Sequence, residues 1–93
     1  MIEDIFPHYS KEPKFYVYKH IDFDGITMYV GKGTSKRAYQ VSRRDLSHKQ
    51  WIENCSHNYV ELVEEGLTEL EAFRLENKLL RQEEPIYNKI RNY

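Results

Sequence analysis

Phe15-Tyr16-Val17-Tyr18-Lys19-His20-Ile21 and, after Asp24-Gly25, Ile26-Thr27-Met28-Tyr29-Val30 are the two runs that decide how this chain folds. Both are dense in aromatic and β-branched residues, which suit a pleated surface, and Asp-Gly between such runs is a strong local hairpin signal. With Asp24-Gly25 as a two-residue turn, Phe23 pairs with Ile26, His20 stands opposite Tyr29 and Tyr18 opposite Gly31. Tyr18 and Tyr29 then become diagonal neighbours on one face. Val17, Ile21, Met28 and Val30 fall on the other, more apolar face, which is the expected core side.

Working outward, Gly31-Lys32-Gly33-Thr34 leaves the second strand through a tight exit into a helix starting near Ser35. A second helix is expected after Ser47 as its N-cap, running through Trp51 and Ile52 towards Cys55. Tyr59-Val60-Glu61-Leu62-Val63 reads as a third strand ended by Gly66. Thr68 and Glu71 form a T-x-x-E capping box, and the helix they open carries Leu70, Phe73, Leu75, Leu79 and Leu80 as far as Pro85. Residues 1–13, with Pro7 and Pro13 and no sustained periodicity, read as an N-terminal arm, and 14–93 as one domain. The expected order is β-β-α-α-β-α with a short tail: an α+β domain with a small three-stranded antiparallel sheet flanked by helices.

Ninety-three residues with 40% apolar content can bury one modest core, with no room for a separate specificity domain. Eight tyrosines and 14% aromatic residues exclude the aromatic-poor composition of a disordered chain. Cys55 is the only cysteine, so an intrachain disulfide is excluded. With no apolar run of membrane length, a soluble, reducing compartment is expected, cytoplasmic or nucleoid-associated, and no membrane.

Net charge is only −1, but its distribution is uneven. Lys32, Lys36, Arg37, Arg43, Arg44 and Lys49 stand against Asp45 in one segment, a net +5 over 32–49. Over 61–84, eight glutamates stand against Arg74, Lys78 and Arg81, a net −5. A cationic surface opposite an anionic one would suit a polyanionic partner, although solvated helix faces also produce such blocks.

Glu76 is the chemical anomaly of the final helix, because Ala72, Phe73, Leu79 and Leu80 are its neighbours one turn away on either side. A carboxylate in an apolar stripe needs a cation, a metal ion or several hydrogen-bond donors, and a structural pairing with an arginine meets the same need. Gly31-Lys32-Gly33-Thr34 is not a P-loop, which would require glycine where Ile26 stands. His8, His20, His48 and His57 have no helical metal-ligand spacing, which argues against zinc.

Taken as an ordered set, these features resemble the GIY-YIG nucleases. Tyr16-Val17-Tyr18 and Tyr29-Val30-Gly31 match the two triplets of that family, with Tyr16 where a glycine is usual. Lys32 and Arg37, then His48, then Leu75-Glu76-Asn77, and finally Pro85-Ile86-Tyr87-Asn88 continue the resemblance over about residues 15–90. It implies a nuclease that hydrolyses DNA phosphodiester bonds with one Mg2+, or Mn2+ in its place, held by Glu76. It further implies a water activated by Tyr18 or Tyr29, a phosphate contact from Arg37, Lys32 as nearby positive charge, His48 orienting a tyrosine or phosphate, and Asn88 as a supporting hydrogen-bonding residue. Lys32, Lys36, Arg37, Arg43, Arg44 and Lys49 form the expected DNA-binding set, with a homodimer or a separate specificity partner both admissible. The alternative is the same fold with lapsed chemistry, acting as a nucleic-acid or protein binding module.

Overall fold

A computed structural model describes residues 9–40, 44–54 and 58–89. Two strands, β1 (Phe15–Ile21) and β2 (Thr27–Gly33), are followed by a single 3-10 turn at Arg37–Tyr39. Then come α1 (Leu46–Asn54), β3 (Tyr59–Leu67), α2 (Glu69–Glu83) and a short α3 (Ile86–Lys89). The sheet is antiparallel with order β2-β1-β3, so β1 is central. The expected architecture is present, with three differences: Gly31-Lys32-Gly33 continues β2 in pairing with β1 instead of forming an exit loop, the first helix is one 3-10 turn, and the tail carries the additional α3. Arg43, Cys55, His57 and the first eight residues of the N-terminal arm lie outside the described residues.

The strand register is the expected one, with Tyr18 opposite Gly31 and His20 opposite Tyr29. The turn is not. Ile21 pairs with Thr27 across a register shift, so Phe23 and Ile26 do not pair. The connection is Phe23-Asp24-Gly25: the Asp22 N–H donates to Ile26 O and the Gly25 N–H to Asp22 O, each at 3.0 Å. The Asp22 carboxylate also accepts from the N–H groups of Asp24 and Ile26. Gly25 has φ 81°, the left-handed conformation that closes a three-residue hairpin loop.

Gly66 does not end β3. It has φ 70° where Phe15 pairs with Leu67 but Val17 with Glu64, so the glycine accommodates a bulge and the strand continues to Leu67. The second helix begins one residue before its expected cap: Lys49 N–H donates to Asp45 O, and Ser47 lies inside α1.

The capping box of α2 forms as read. The Thr68 hydroxyl accepts from Glu71 N–H at 3.3 Å, and the Glu71 carboxylate accepts from Thr68 N–H at 2.8 Å. Those bonds hold the exposed Glu71 carboxyl below its usual range. Thr68→Ala is expected to lower unfolding free energy by about 1 kcal/mol in denaturant titrations, as loss of an N-cap does elsewhere. At the other end Glu84, with φ 44°, is the C-cap, donating to Leu80 O before Pro85.

Both faces of the sheet are covered. On one, Val17 and Val30 pack with Leu67, Ala72 and Leu79, joining α2 to the sheet as expected. The tyrosine face is equally buried: Tyr16, Tyr18 and Tyr29 cluster with Ala38 of the 3-10 turn, and Val60, Leu62 and Tyr87 pack around them. The more apolar face is therefore only half of the core.

Candidate active site on the tyrosine face

Tyr18 and Tyr29 project to the same side of the hairpin with ring centroids 6.1 Å apart. Glycine makes this approach possible. A Cβ on Gly31 would lie 2.6 Å from two atoms at the phenol end of Tyr18 and 2.8 Å from the Tyr29 ring. Gly33 makes room in the same way for Arg37, whose Cβ and Cγ would be 2.7 Å from an added methyl. Tyr16, standing where the resemblance expects glycine, donates its hydroxyl to Ser35 O at 2.8 Å and accepts from Ala38 N–H at 2.9 Å. It thus pins the segment leading into the 3-10 turn against β1.

Arg44 closes over the two phenols. Its guanidinium donates to the Tyr18 hydroxyl oxygen at 2.8 Å, and its carbon lies 5.5 Å from the Tyr18 ring centroid and 5.1 Å from that of Tyr29. Two further bonds, to Gln40 O and Arg37 O, fix its orientation. Sequence reading counted Arg44 only among the DNA-binding cations; its position over the tyrosines depends on a contact spanning 26 residues. Burial raises the Tyr18 phenol to about 12, reinforced by Tyr29 and only partly opposed by Arg44, so Tyr18 keeps its proton at neutral pH.

Behind the phenols lies an aromatic cluster. The His48 ring is 4.4 Å from Tyr29, 5.0 Å from His20 and stacked on Tyr87 at 5.2 Å, with Trp51 also against it. His20 and His48 are hydrogen-bonded at 2.8 Å, and His20 Nε2 meets Ala38 O at 2.7 Å. Burial lowers the His20 imidazole to about 4, with Arg44 and Arg37 acting in the same direction against the Ala38 bond. Because the folded state takes up the proton less readily than the unfolded chain, this contribution is present above the usual histidine value of 6.5. It is lost as pH falls from there through about 4. Going from pH 8 to pH 4 should therefore cost about 3 kcal/mol more in wild type than in His20→Gln, measured by denaturant titration.

Asn88 supports the second triplet from outside. Its side chain accepts from Val30 N–H and donates to Val30 O, both at 2.8 Å, which fixes β2 between Tyr29 and Gly31.

Glu76 sits on α2, half-buried. Of its four apolar neighbours, Ala72 and Leu79 are core residues, but Phe73 is 36% exposed and contacts Tyr9. The site is therefore the margin of the core rather than the middle of a buried stripe. Glu69 and Glu83, seven residues away in either direction, share its stripe of the helix. Glu69 lies 3.9 Å from Lys32, and Glu83 accepts from Thr27 and pairs with Lys19, both at 2.6 Å. Burial alone would raise the Glu83 carboxyl, but those bonds outweigh it and hold it below its usual range. Helix α2 thus runs along β2 from Lys32 towards Thr27, and Glu76 falls between these two anchors. Among the described residues no three His, Cys, Asp or Glu side chains gather into a metal cage. A cation at Glu76 would need mostly water and phosphate oxygens, a coordination habit that fits Mg2+.

Of the remaining expected DNA-binding residues, Lys36 and Lys49 are exposed, and Lys32 and Arg37 half-buried. Arg37 and Lys36 line an open cleft of about 440 Å³ with Phe15, Gly33, Thr34, Ser35 and Gln40. No helix among the described residues is long and apolar enough to cross a membrane.

The three-stranded antiparallel sheet with its flanking helices matches the fold of a GIY-YIG domain. Among solved structures, the crystal structure of the GIY-YIG N-terminal endonuclease domain of UvrC from Thermotoga maritima, bound to its catalytic divalent cation magnesium, is similar to this chain. The TM-score is 0.56 at 26% sequence identity, over 94% of this chain and 98% of that one. The fold that the resemblance implied is thus present. Neither a protein-family model nor a curated protein matches the sequence.

Proposed function

We propose that this chain is a Mg2+-dependent endonuclease acting on DNA. The observation that carries this reading is the packing of Tyr18 and Tyr29 under one guanidinium, with Gly31 allowing the approach. Buried phenols held by a cation are an unusual outlay for packing alone and suit proton handling beside a phosphate. Tyr18, held by Arg44 and protonated at neutral pH, is assigned to orienting the attacking water, and Tyr29 is the phenol proposed to activate it. Arg44 holds the Tyr18 hydroxyl and lies over the Tyr29 ring, where its positive charge would favour loss of the phenolic proton. Arg37 takes the scissile phosphate, Lys32 supplies positive charge from the α2 side of the sheet, where it lies near Glu69, and Asn88 keeps the Tyr29 strand segment in place. Glu76 would hold the divalent ion, whose chemistry when bound is stabilisation of the leaving oxygen. The magnesium-bound neighbour supports the choice of ion.

The test is conversion of supercoiled plasmid to nicked or linear DNA with Mg2+ or Mn2+ and with chelator, alongside branched DNA and RNA. Metal-dependent cutting of DNA is the expected result. Binding without cutting under all these conditions would instead favour a module with lapsed chemistry. Affinity should fall steeply with salt, because Lys36, Lys49, Lys32 and Arg37 would displace counterions from the backbone. A flat plot of log affinity against log salt would remove this segment from the footprint.

A further inference from the structure

We propose that His20 is a positioning residue for this site. A one-way hydrogen-bond chain anchored on the Ala38 carbonyl lets it dictate which nitrogen of His48 carries the proton. The inference rests on the nuclease reading for its functional meaning, but not for its geometry. A carbonyl oxygen can only accept, so His20 Nε2, 2.7 Å from Ala38 O, bears a hydrogen. In the neutral imidazole this leaves a lone pair on His20 Nδ1. His48 Nε2, 2.8 Å away, therefore has to donate, and its own proton sits on Nε2. His20 is 4% exposed and His48 1%, and the two rings meet directly in the interior.

Burial keeps His20 neutral down to about pH 4, so the chain runs in one direction through the physiological range. A charged His20 would turn an N–H towards the His48 N–H and break the link. The plane of the His48 ring is set separately, by stacking on Tyr87 with a 7° interplanar angle and by contact with Tyr29. Stacking fixes where the ring lies, and His20 fixes which nitrogen is basic. The lone pair of His48 is then confined to Nδ1, the only ring nitrogen through which it can accept a hydrogen bond or proton while supporting the phenol face. No helical spacing links the two histidines, and His20 has no assigned part in the resemblance to the nuclease family.

The first measurement is a long-range 15N–1H spectrum of the imidazoles in the full chain at pH 7, which reports the protonated nitrogen of each ring. Both His20 and His48 are expected in the Nε2–H form. A wild-type His48 carrying its proton on Nδ1 would overturn the proposal at once, with no variant required. In His20→Phe, which retains a ring, His48 should lose its fixed pattern and average between tautomers. Its nicking kcat should fall by about tenfold or more with KM within about twofold. His20→Gln keeps an amide donor for Ala38 O and a carbonyl acceptor for His48, and should recover both the spectrum and part of the rate. An unchanged His48 pattern or an unchanged kcat in His20→Phe counts against the proposal. If wild type gives the expected spectrum yet cuts no nucleic acid, the nuclease reading fails while the hydrogen-bond chain stands.

Discussion

Glu76→Ala is expected to lower metal-dependent nicking by roughly a thousandfold or more, while changing unfolding free energy by no more than about 1 kcal/mol. The two effects have separate origins. Glu76 is half-buried at the margin of the core, so its removal opens no large cavity, and alanine is the best helix former. On the anchored stripe of α2 it lies between Glu69, near Lys32, and Glu83, bonded to Thr27 and Lys19. As the one carboxylate assigned to the cation, it has no substitute there, and each factor of ten in rate corresponds to about 1.4 kcal/mol of transition-state stabilisation. Nicking rates across a Mg2+ titration, paired with melting curves with and without the ion, read both sides. A variant that melts far lower yet still cuts would identify Glu76 as a structural ion-pair residue.

Arg44→Met carries the second large expected effect, a fall in kcat of about a hundred- to a thousandfold, as for removal of one preorganised donor to a developing charge. Methionine retains an apolar stem over the rings, so the comparison isolates the guanidinium. Without it, the Tyr18 oxygen loses its 2.8 Å donor and both rings lose their cation. DNA affinity should weaken only modestly, because the exposed Lys36 and Lys49 remain. Weaker binding at an unchanged saturating rate would reduce Arg44 to a phosphate contact. Single-turnover rates at saturating enzyme separate these outcomes.

The hairpin was legible because alternation and Asp24-Gly25 together fix which residues face one another. The turn was misread by one residue, but the register shift beyond His20 absorbs the difference, so Tyr18 and Tyr29 still share a face. Gly66 gives the same local signal whether it stops a strand or bends one; only pairing with β1 makes it a bulge. Helix α3, four residues long, is too short to show a helical period. Arg44 over Tyr18 and His20 against His48 join residues 26 and 28 positions apart, and nothing in the local sequence of either partner announces the other. The capping box, by contrast, is complete within four residues and was read in full.

Asn88 has a consequence for how copies of this protein behave towards one another. β2 is an outer strand, and an outer strand offers unused backbone groups to any passing chain in search of a partner. By occupying both groups of Val30, the Asn88 amide interrupts that row at its middle, as a short piece of foreign strand would. The opposite rim, β3, exposes Glu61, Glu64 and Glu65, and two such rims brought together would set carboxylates against carboxylates. One rim is blocked by an amide and the other guarded by charge, so the sheet resists growing by the addition of further copies and should remain dispersed at high concentration.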